Sequence, residues 1–343
     1  MPTAKLAKEE ILRRAFTGRR VLVTGGTGSL GKVLLRRLLE HPVESVKVIS
    51  RDEAKQYFLS KEINDPRLSF QIGDVRNLTD VTEALQDIDY VFNAAALKQV
   101  PTCEYAAHQA VRTNIDGPEN IVKAIAQNRL PVQKVICIST DKACKPVNVM
   151  GMTKAIQERI FIQGNLRCPG TTFVCARYGN ILASRGSLIP LFHKFIEQGK
   201  PLTVTTEDMT RFLLNLDEAV DLIFDALTRG EKGEIFIPRV MSGKILDIAE
   251  IFEEMSDSKI VVTGLRPGEK VHEILIAEEE ASRTYESLNR YIIAPQLKEL
   301  MPSLEGFPKI EEYSSNSALV DKETLRARLD KEQLLPGQFK EKL

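Results

Sequence analysis

Residues 139–154, S-T-D-K-A-C-K-P-V-N-V-M-G-M-T-K, gather side chains that can move protons. Asp141 and Lys142 follow the apolar run K-V-I-C-I-S-T, so both should emerge where a buried strand ends. A carboxyl and an amine held there can release a proton at one atom and accept one at another. Thr140 adds a hydroxyl beside them. Lys154 and Met150, four residues apart on the helical stretch that follows, share one face. Met150 offers only a thioether, which carries no proton. As mere structure, Asp141–Lys142 would be a surface ion pair worth at most about 1 kcal/mol.

These residues need a scaffold. Strand-like runs R-R-V-L-V-T-G-G, V-K-V-I-S-R-D, L-S-F-Q-I-G-D, Y-V-F-N-A-A-A, K-V-I-C-I-S-T and T-T-F-V-C-A-R-Y-G-N succeed one another from residue 19. Helical segments such as G-K-V-L-L-R-R-L-L-E, V-T-E-A-L-Q-D-I and G-P-E-N-I-V-K-A-I-A-Q-N separate them. This alternation predicts an α/β protein with a doubly wound parallel Rossmann sheet and ligands at the strands' C-terminal ends. Past residue 178 the pattern loosens. L-I-P-L-F-H-K-F-I-E-Q-G and D-E-A-V-D-L-I-F-D-A-L-T-R-G read as helices, G-E-I-F-I-P-R-V and K-I-V-V-T-G as short strands. The expected division is an N-terminal extension (1–17), a nucleotide-binding Rossmann domain (18–177 plus 212–235) and a smaller C-terminal α/β substrate domain (178–211 plus 236–343). Within the extension, Lys8 to Phe16 should form a short amphipathic helix with Ile11, Leu12 and Phe16 on one face. The last 40 residues read as a polar, irregular tail on the surface.

The first strand-to-helix turn, V-L-V-T-G-G-T-G-S-L-G, has the spacing of a dinucleotide loop. Thr24, Gly25, Thr27, Gly28, Ser29, Leu30 and Gly31 would let a pyrophosphate approach the backbone at a helix N-terminus. After the second strand, Ser50 offers no carboxylate, Arg51 suits a 2′-phosphate and Asp52 suits free ribose hydroxyls. The reading favours NADP, with NAD the alternative. Asp74 and Val75 should border adenine, and Ala94, Ala95 and Ala96 should line the cofactor. Lys154 would then reach the nicotinamide ribose.

Composition narrows the class. Lys and Arg total 47, as do Asp and Glu, so the chain carries no net charge and does not read as a general nucleic-acid binder. Five cysteines form no C-x-x-C pair, pointing to reduced thiols in a cytosolic protein. His41, His108, His193 and His272 have no ligand-like spacing, and no metal is expected. No apolar run approaches the roughly 20 residues of a membrane span, and the N-terminus lacks a signal-peptide core. A cytoplasmic enzyme is the expectation.

V-T-G-G-T-G-S-L-G, S-R-D-E-A-K-Q, G-D-V-R-N, A-A-A-L-K-Q-V-P, S-T-D-K-A, R-Y-G-N-I-L-A-S-R-G-S-L-I-P-L-F, M-T-R-F and L-R-P-G-E-K-V-H-E occur in this order between Gly18 and Arg283. Together they resemble the extended short-chain dehydrogenase/reductase family, most closely its UDP-N-acetylglucosamine 4,6-dehydratases of the CapD-like polysaccharide-biosynthesis group. The family pattern is Tyr-x-x-x-Lys, so Met150 marks the methionine variant of that group. The resemblance implies Asp141 as the acid at the C6 hydroxyl and Lys142 as the base at C5. With no phenol, Lys142 is also the first candidate for the C4 hydroxyl proton, since burial beside Lys154 would depress its pKa. Thr140 would hydrogen-bond O4. Substrate contacts are implied at Asn180, the run Ser184, Arg185, Gly186 and Ser187, Arg211, Arg266 and Glu269, with Lys98 a group hallmark of unassigned role. The implied product is a UDP-2-acetamido-2,6-dideoxy-4-hexulose, inverted at C5, that feeds surface-glycan synthesis. Short members form homo-oligomers, often hexamers. The competing readings are a UDP-hexose 4-epimerase and a non-catalytic dinucleotide-binding scaffold.

Overall fold

In the computed structural model, which describes residues 2–183, 186–303 and 310–339, all six expected runs form strands. They are β1 (Arg20–Thr24), β2 (Ser45–Ser50), β3 (Leu68–Ile72), β4 (Tyr90–Asn93), β5 (Lys134–Thr140) and β6 (Thr172–Tyr178). All are parallel, in the order β3-β2-β1-β4-β5-β6, so the winding reverses between β1 and β4. A crevice opens at such a switch point, beyond the strands' C-terminal ends. The middle of β5 is buried from Val135 to Ser139, as expected for a parallel strand covered on both faces. Helices Ser29–Leu39 and Leu216–Arg229 seal one face with Leu34, Leu35 and Phe224. Helices Gly117–Asn128 and Val149–Arg167 seal the other with Ile121, Val122 and Phe161.

The sheet does not stop at β6. Ile235–Pro238 pairs parallel to β6, and a hairpin, Thr284–Ser287 with Arg290–Ile293, adds two antiparallel strands beyond it. Most of this addition comes from chain expected in the substrate domain. Its return covers an edge of β6 that would otherwise expose a row of unpaired peptide groups.

A second core joins helices Leu188–Glu197 and Ile245–Glu254 to the parallel pair Leu202–Val204 and Ile260–Val262. The expected irregular tail takes part in it. Residues Lys322–Lys331 form a helix whose N-cap, Asp321, accepts from the Thr324 amide at 2.7 Å. Leu325 and Leu329, one turn apart, are completely buried in this core beside Leu334 and Leu335. Each such side chain contributes about 1.5–3 kcal/mol, enough to dock an otherwise charged helix. At the other terminus the helix Pro2–Phe16 buries Leu12 and Phe16, while Ile11 stays 43% exposed. Phe16 stacks on His41 with ring centroids 5.2 Å apart.

Candidate active site

The turn after β1 is as tight as its glycines predict. Gly25 sits at φ 69°, and a Cβ there would lie 2.8 Å from the Ala95 Cα. Only glycine lets the turn after β1 meet the loop after β4 this closely. The Thr24 hydroxyl clasps the same junction, donating to Asn93 Oδ1 at 2.9 Å and accepting from the Ala95 amide at 3.1 Å. At Gly31 a Cβ would stand 2.5 Å from Gly26, so the helix Ser29–Leu39 lies hard against the turn. No side chain caps this helix, and its N-cap Gly28 is exposed, leaving the first-turn amides to a pyrophosphate. Thr27, Ser29 and Leu30 are half-buried around it. These residues fit a dinucleotide.

Beyond β2 the three candidates separate. Ser50 Oγ accepts from Gln56 at 2.9 Å. Asp52 caps the next helix, accepting from the Lys55 amide at 3.0 Å and pairing with the Lys55 ammonium at 2.6 Å. Arg51 is exposed. Asp74 pairs with Arg76 at 2.5 Å; burial would raise its pKa, but Arg76 and then Arg51 draw it below the ordinary value. Val75 is buried against Gly117, and Ala94, Ala95 and Ala96 are half-buried.

β5 delivers Asp141 and Lys142. At its end a single turn, Asp141–Ala143, carries Asp141 and Lys142. The helix Val149–Arg167 seats against this turn only because residue 151 is glycine: a Cβ there would meet the Lys142 carbonyl oxygen at 2.2 Å. Thr140 Oγ1 donates to Asp141 Oδ1 at 2.8 Å. The Lys142 ammonium lies 3.1 Å from Asp141 Oδ1 and 3.1 Å from Glu273 Oε1. Arg211 stands behind Glu273 at 3.8 Å. Asp141 is fully buried and Glu273 is 2% exposed, yet Asp141 Oδ2 and Glu273 Oε2 have no hydrogen-bond partner. A buried acceptor left bare costs about 1–3 kcal/mol unless a ligand's donor meets it.

The electrostatics follow from this arrangement. Burial pushes the Asp141 carboxyl up, and Lys142 offsets this only in part. Burial also acts to raise Glu273, but Lys142 and then Arg211 outweigh it and hold that carboxyl below the usual range. Lys142 corrects the sequence reading. Burial does favour its neutral form, but Asp141 and Glu273 overcome burial and raise its pKa. Lys154 donates to the Ile138 carbonyl at 2.5 Å and to Gln157 at 2.9 Å, and burial lowers its own pKa. Met150 is 5% exposed in an apolar cluster with Cys103 and Ala110, so the position serves as packing.

The expected substrate residues are partly gathered. Asn180 Oδ1, Ser187 Oγ and Glu269 Oε2 are buried without a partner, as is Thr206 Oγ1, which the sequence reading did not single out. Arg211 donates to the Thr210 and Val271 carbonyls at 2.7 and 3.1 Å. Arg266 is mostly exposed, 4.0 Å from Glu269. The loop bearing both is tied to the helix Val149–Arg167, since Asn148 donates to the Gly268 carbonyl at 2.8 Å. Lys98 is exposed before the helix Val100–Tyr105, and a Cβ on Gly186 would lie 3.3 Å from Gln99. Ser184 and Arg185 fall outside the described residues.

Besides Thr206, the sequence reading missed two things. Glu273 closes the motif L-R-P-G-E-K-V-H-E, whose earlier Arg266 and Glu269 drew attention to nucleotide contacts instead. A second buried cluster centres on Arg177, 1% exposed on β6. Its guanidinium bonds Glu158 at 2.7 and 3.0 Å, Glu280 at 2.7 and 3.0 Å, and the Leu275 carbonyl at 2.9 Å. Ser139 donates to Glu158 at 2.5 Å. Arg177 draws Glu280 down to about 2 against the pull of burial. An arginine inside the apolar run T-F-V-C-A-R-Y was the available signal.

Of the other histidines, His108 is exposed, His193 stacks on Phe339 at 4.5 Å, and His272 hydrogen-bonds Thr210 at 2.8 Å. Among the described residues no group of His, Cys, Asp and Glu could hold a metal, and no helix is long and apolar enough to cross a membrane. All five cysteines are buried free thiols.

The family model for "Polysaccharide biosynthesis protein" matches residues 21–295. The chain belongs to that family. A curated relative named UDP-glucose 4-epimerase, from Rickettsia conorii, is 42% identical over 316 residues, covering 88% of this chain and 92% of its own. A protein of the same name from Rickettsia massiliae is also 42% identical. Pen from Bacillus thuringiensis superposes with a TM-score of 0.86 at 36% identity, covering 93% of this chain and 99% of that one. DesIV, a dTDP-glucose 4,6-dehydratase from Streptomyces venezuelae solved with NAD and TYD, shares the fold at a TM-score of 0.66 and 22% identity over 74% of this chain and 86% of its own.

Proposed function

We propose that this member of the polysaccharide biosynthesis family is a nucleotide-sugar 4,6-dehydratase that uses NADP and acts on UDP-N-acetylglucosamine. One observation carries the reading: a fully buried carboxyl, Asp141, whose pKa burial pushes up, with one bare oxygen and the Lys142 ammonium at 3.1 Å. Eliminating water across C5 and C6 needs an acid and a base together, whereas moving a hydride at C4 alone does not.

The loop from Thr24 to Gly31 would hold the dinucleotide, whose chemistry when bound is to take hydride from C4 and return it to C6. A ketone at C4 makes the C5 proton acidic. Asp141 gives its proton to the C6 hydroxyl, which leaves as water. Lys142, once it has shed its own proton, takes the one on C5. Thr140, joined to Asp141, would hydrogen-bond O4. Arg51 faces outward beside Asp74 while Asp52 is engaged as a helix cap, which supports NADP. Arg51→Ala should therefore weaken NADP binding more than NAD binding in calorimetry; equal losses would refute that preference.

Proton NMR of the purified protein with UDP-N-acetylglucosamine tests the central reading. A C6 methyl doublet is expected, and the same spectrum reads the C5 configuration, for which resemblance to the short members implies inversion. The second reading, a UDP-hexose 4-epimerase, is favoured by the names of the Rickettsia relatives. It predicts a product epimeric at C4 with C6 still hydroxylated. A homo-oligomer is also proposed, and a monomeric mass in light scattering at micromolar concentration would defeat it.

A further inference from the structure

The dehydratase reading needs Lys142 as an amine, while its surroundings hold it as an ammonium. Some neighbouring group must relieve it of a proton. Asp141 is the wrong acceptor, because it must keep its own proton to expel the C6 hydroxyl. Four charged groups bear on Glu273: Lys142 from the β5 turn, Asp141 beside it, Arg211 from the strand Thr210–Phe212, and Lys270 from its own loop. Arg211 has no proton to exchange at ordinary pH. Lys270 donates to the Cys144 carbonyl. Glu273 is the remaining acceptor within reach, with Oε1 at 3.1 Å from the Lys142 nitrogen.

We propose that Glu273 is a positioning residue that makes Lys142 a base, by accepting one ammonium proton from it across this 3.1 Å contact. The inference rests on the dehydratase reading and deepens it. Its geometry is unusually well fixed. The Glu273 amide donates to Ser315 Oγ at 3.0 Å, and the Ser315 amide donates to the Glu273 carbonyl at 2.8 Å. Ser315 is fully buried and bonded in turn to Thr210 at 2.6 Å. Two residues on, Arg177 grips the Leu275 carbonyl. A bound sugar would exclude water from Lys142, whose side chain is 21% exposed, and water exclusion favours a neutral acid–amine pair over an ion pair.

The protons balance. An N–H bond of Lys142 breaks and an O–H bond forms on Glu273, leaving the electron pair on Nζ. That pair takes the C5 proton, the C5–H electrons form the C5–C6 double bond, and the C6 hydroxyl leaves with the Asp141 proton. Protonation of C5 as hydride reaches C6 draws one proton back from the Lys142–Glu273 pair. The C4 hydroxyl proton passes to solvent during oxidation, before Asp141 has spent its own; Asp141 regains one proton from solvent after water departs, and the site ends as it began.

The test is Glu273→Gln, assayed with UDP-N-acetylglucosamine in deuterated buffers from about pH 6 to about pH 10, reading C5 deuterium and C6 methyl formation. At neutral pH both should fall at least about 10²-fold, and both should climb roughly tenfold per pH unit as solvent alone deprotonates Lys142. Wild-type protein should lack this alkaline climb, and Glu273→Asp should lack it too at a lower rate. If Glu273→Gln does not fold, Glu273→Asp decides, and an alkaline climb in that variant overturns the proposal. A Glu273→Gln profile with the wild-type shape, whether at full or uniformly reduced rate, overturns this inference alone. Wild-type protein that neither deuterates C5 nor forms a C6 methyl overturns the dehydratase reading, and this inference with it.

Discussion

Asp141–Lys142–Glu273 and Glu158–Arg177–Glu280 are built alike, each a cation between two carboxylates in the protein interior, and they are bonded in opposite ways. Around Arg177 the bonding is dense: the guanidinium meets both glutamates twice, while Ser139 and Arg283 supply further donors. Around Lys142, one oxygen of each carboxylate is bare. The planar fork of arginine suits a permanent joint, whereas a lysine ammonium can exchange its proton. A closed network of buried charges fixes geometry; an open one keeps capacity for a ligand. The two also touch one chain segment, since Arg177 holds Leu275 and Lys142 holds Glu273. The first cluster therefore reads as the mount for the second.

The contrast can be broken in order of effect. Asp141→Asn should cost dehydration about 10²- to 10⁴-fold with substrate binding retained, because only the transferable proton is lost. Its melting temperature should not fall, since a destabilised buried acid has been removed; a cooperative loss of stability would place Asp141 among structural groups. Arg177→Met should do the reverse in kind, costing about 3–5 kcal/mol of unfolding free energy by stranding two buried carboxylates. Urea titration measures it, and a loss under about 1 kcal/mol would contradict the mounting role.

A third check uses pH. Glu280 is held at about 2 in the folded protein against an ordinary 4.5, so its contribution is complete above pH 4.5 and disappears as pH falls towards 2. The change should be on the order of 3 kcal/mol, and a flat unfolding free energy through that window would refute it. The smallest effect belongs to Met150. Met150→Leu keeps volume and apolarity in the Cys103–Ala110 cluster, so stability should change by less than about 1.5 kcal/mol and turnover should persist. Abolished turnover with intact folding would return a chemical role to that sulfur.

Much of this was legible in the sequence where neighbours in space are neighbours in the chain. The parallel sheet follows from six apolar runs at regular spacing, and Asp141 with Lys142 follows from one strand end. Glu273 was not legible, because its partner lies on a distant strand and only tertiary structure joins them. The edge hairpin hid for a local reason: its two-residue turn is Leu288–Asn289, at φ 49° and 63°, where Asn-Gly would have announced it. The terminal helix hid because Leu325 and Leu329 are its sole buried residues among charged neighbours. The raised pKa of Lys142 was misread for the same reason as Glu273: its second carboxylate was out of sight.

The clasp between Ser315 and Glu273 orders events during synthesis. Chains fold as they leave the ribosome, with N-terminal units forming first. The loop from Thr24 to Gly31 and the whole of β5 emerge long before Ser315, so a nascent chain can form the dinucleotide cradle with Asp141 and Lys142 already in position. Glu273 gains both of these backbone anchors only when Ser315 arrives. On the proposed reading, cofactor capture would thus precede catalytic competence, and a chain released before Ser315 would lack the anchors of the carboxylate proposed to govern Lys142.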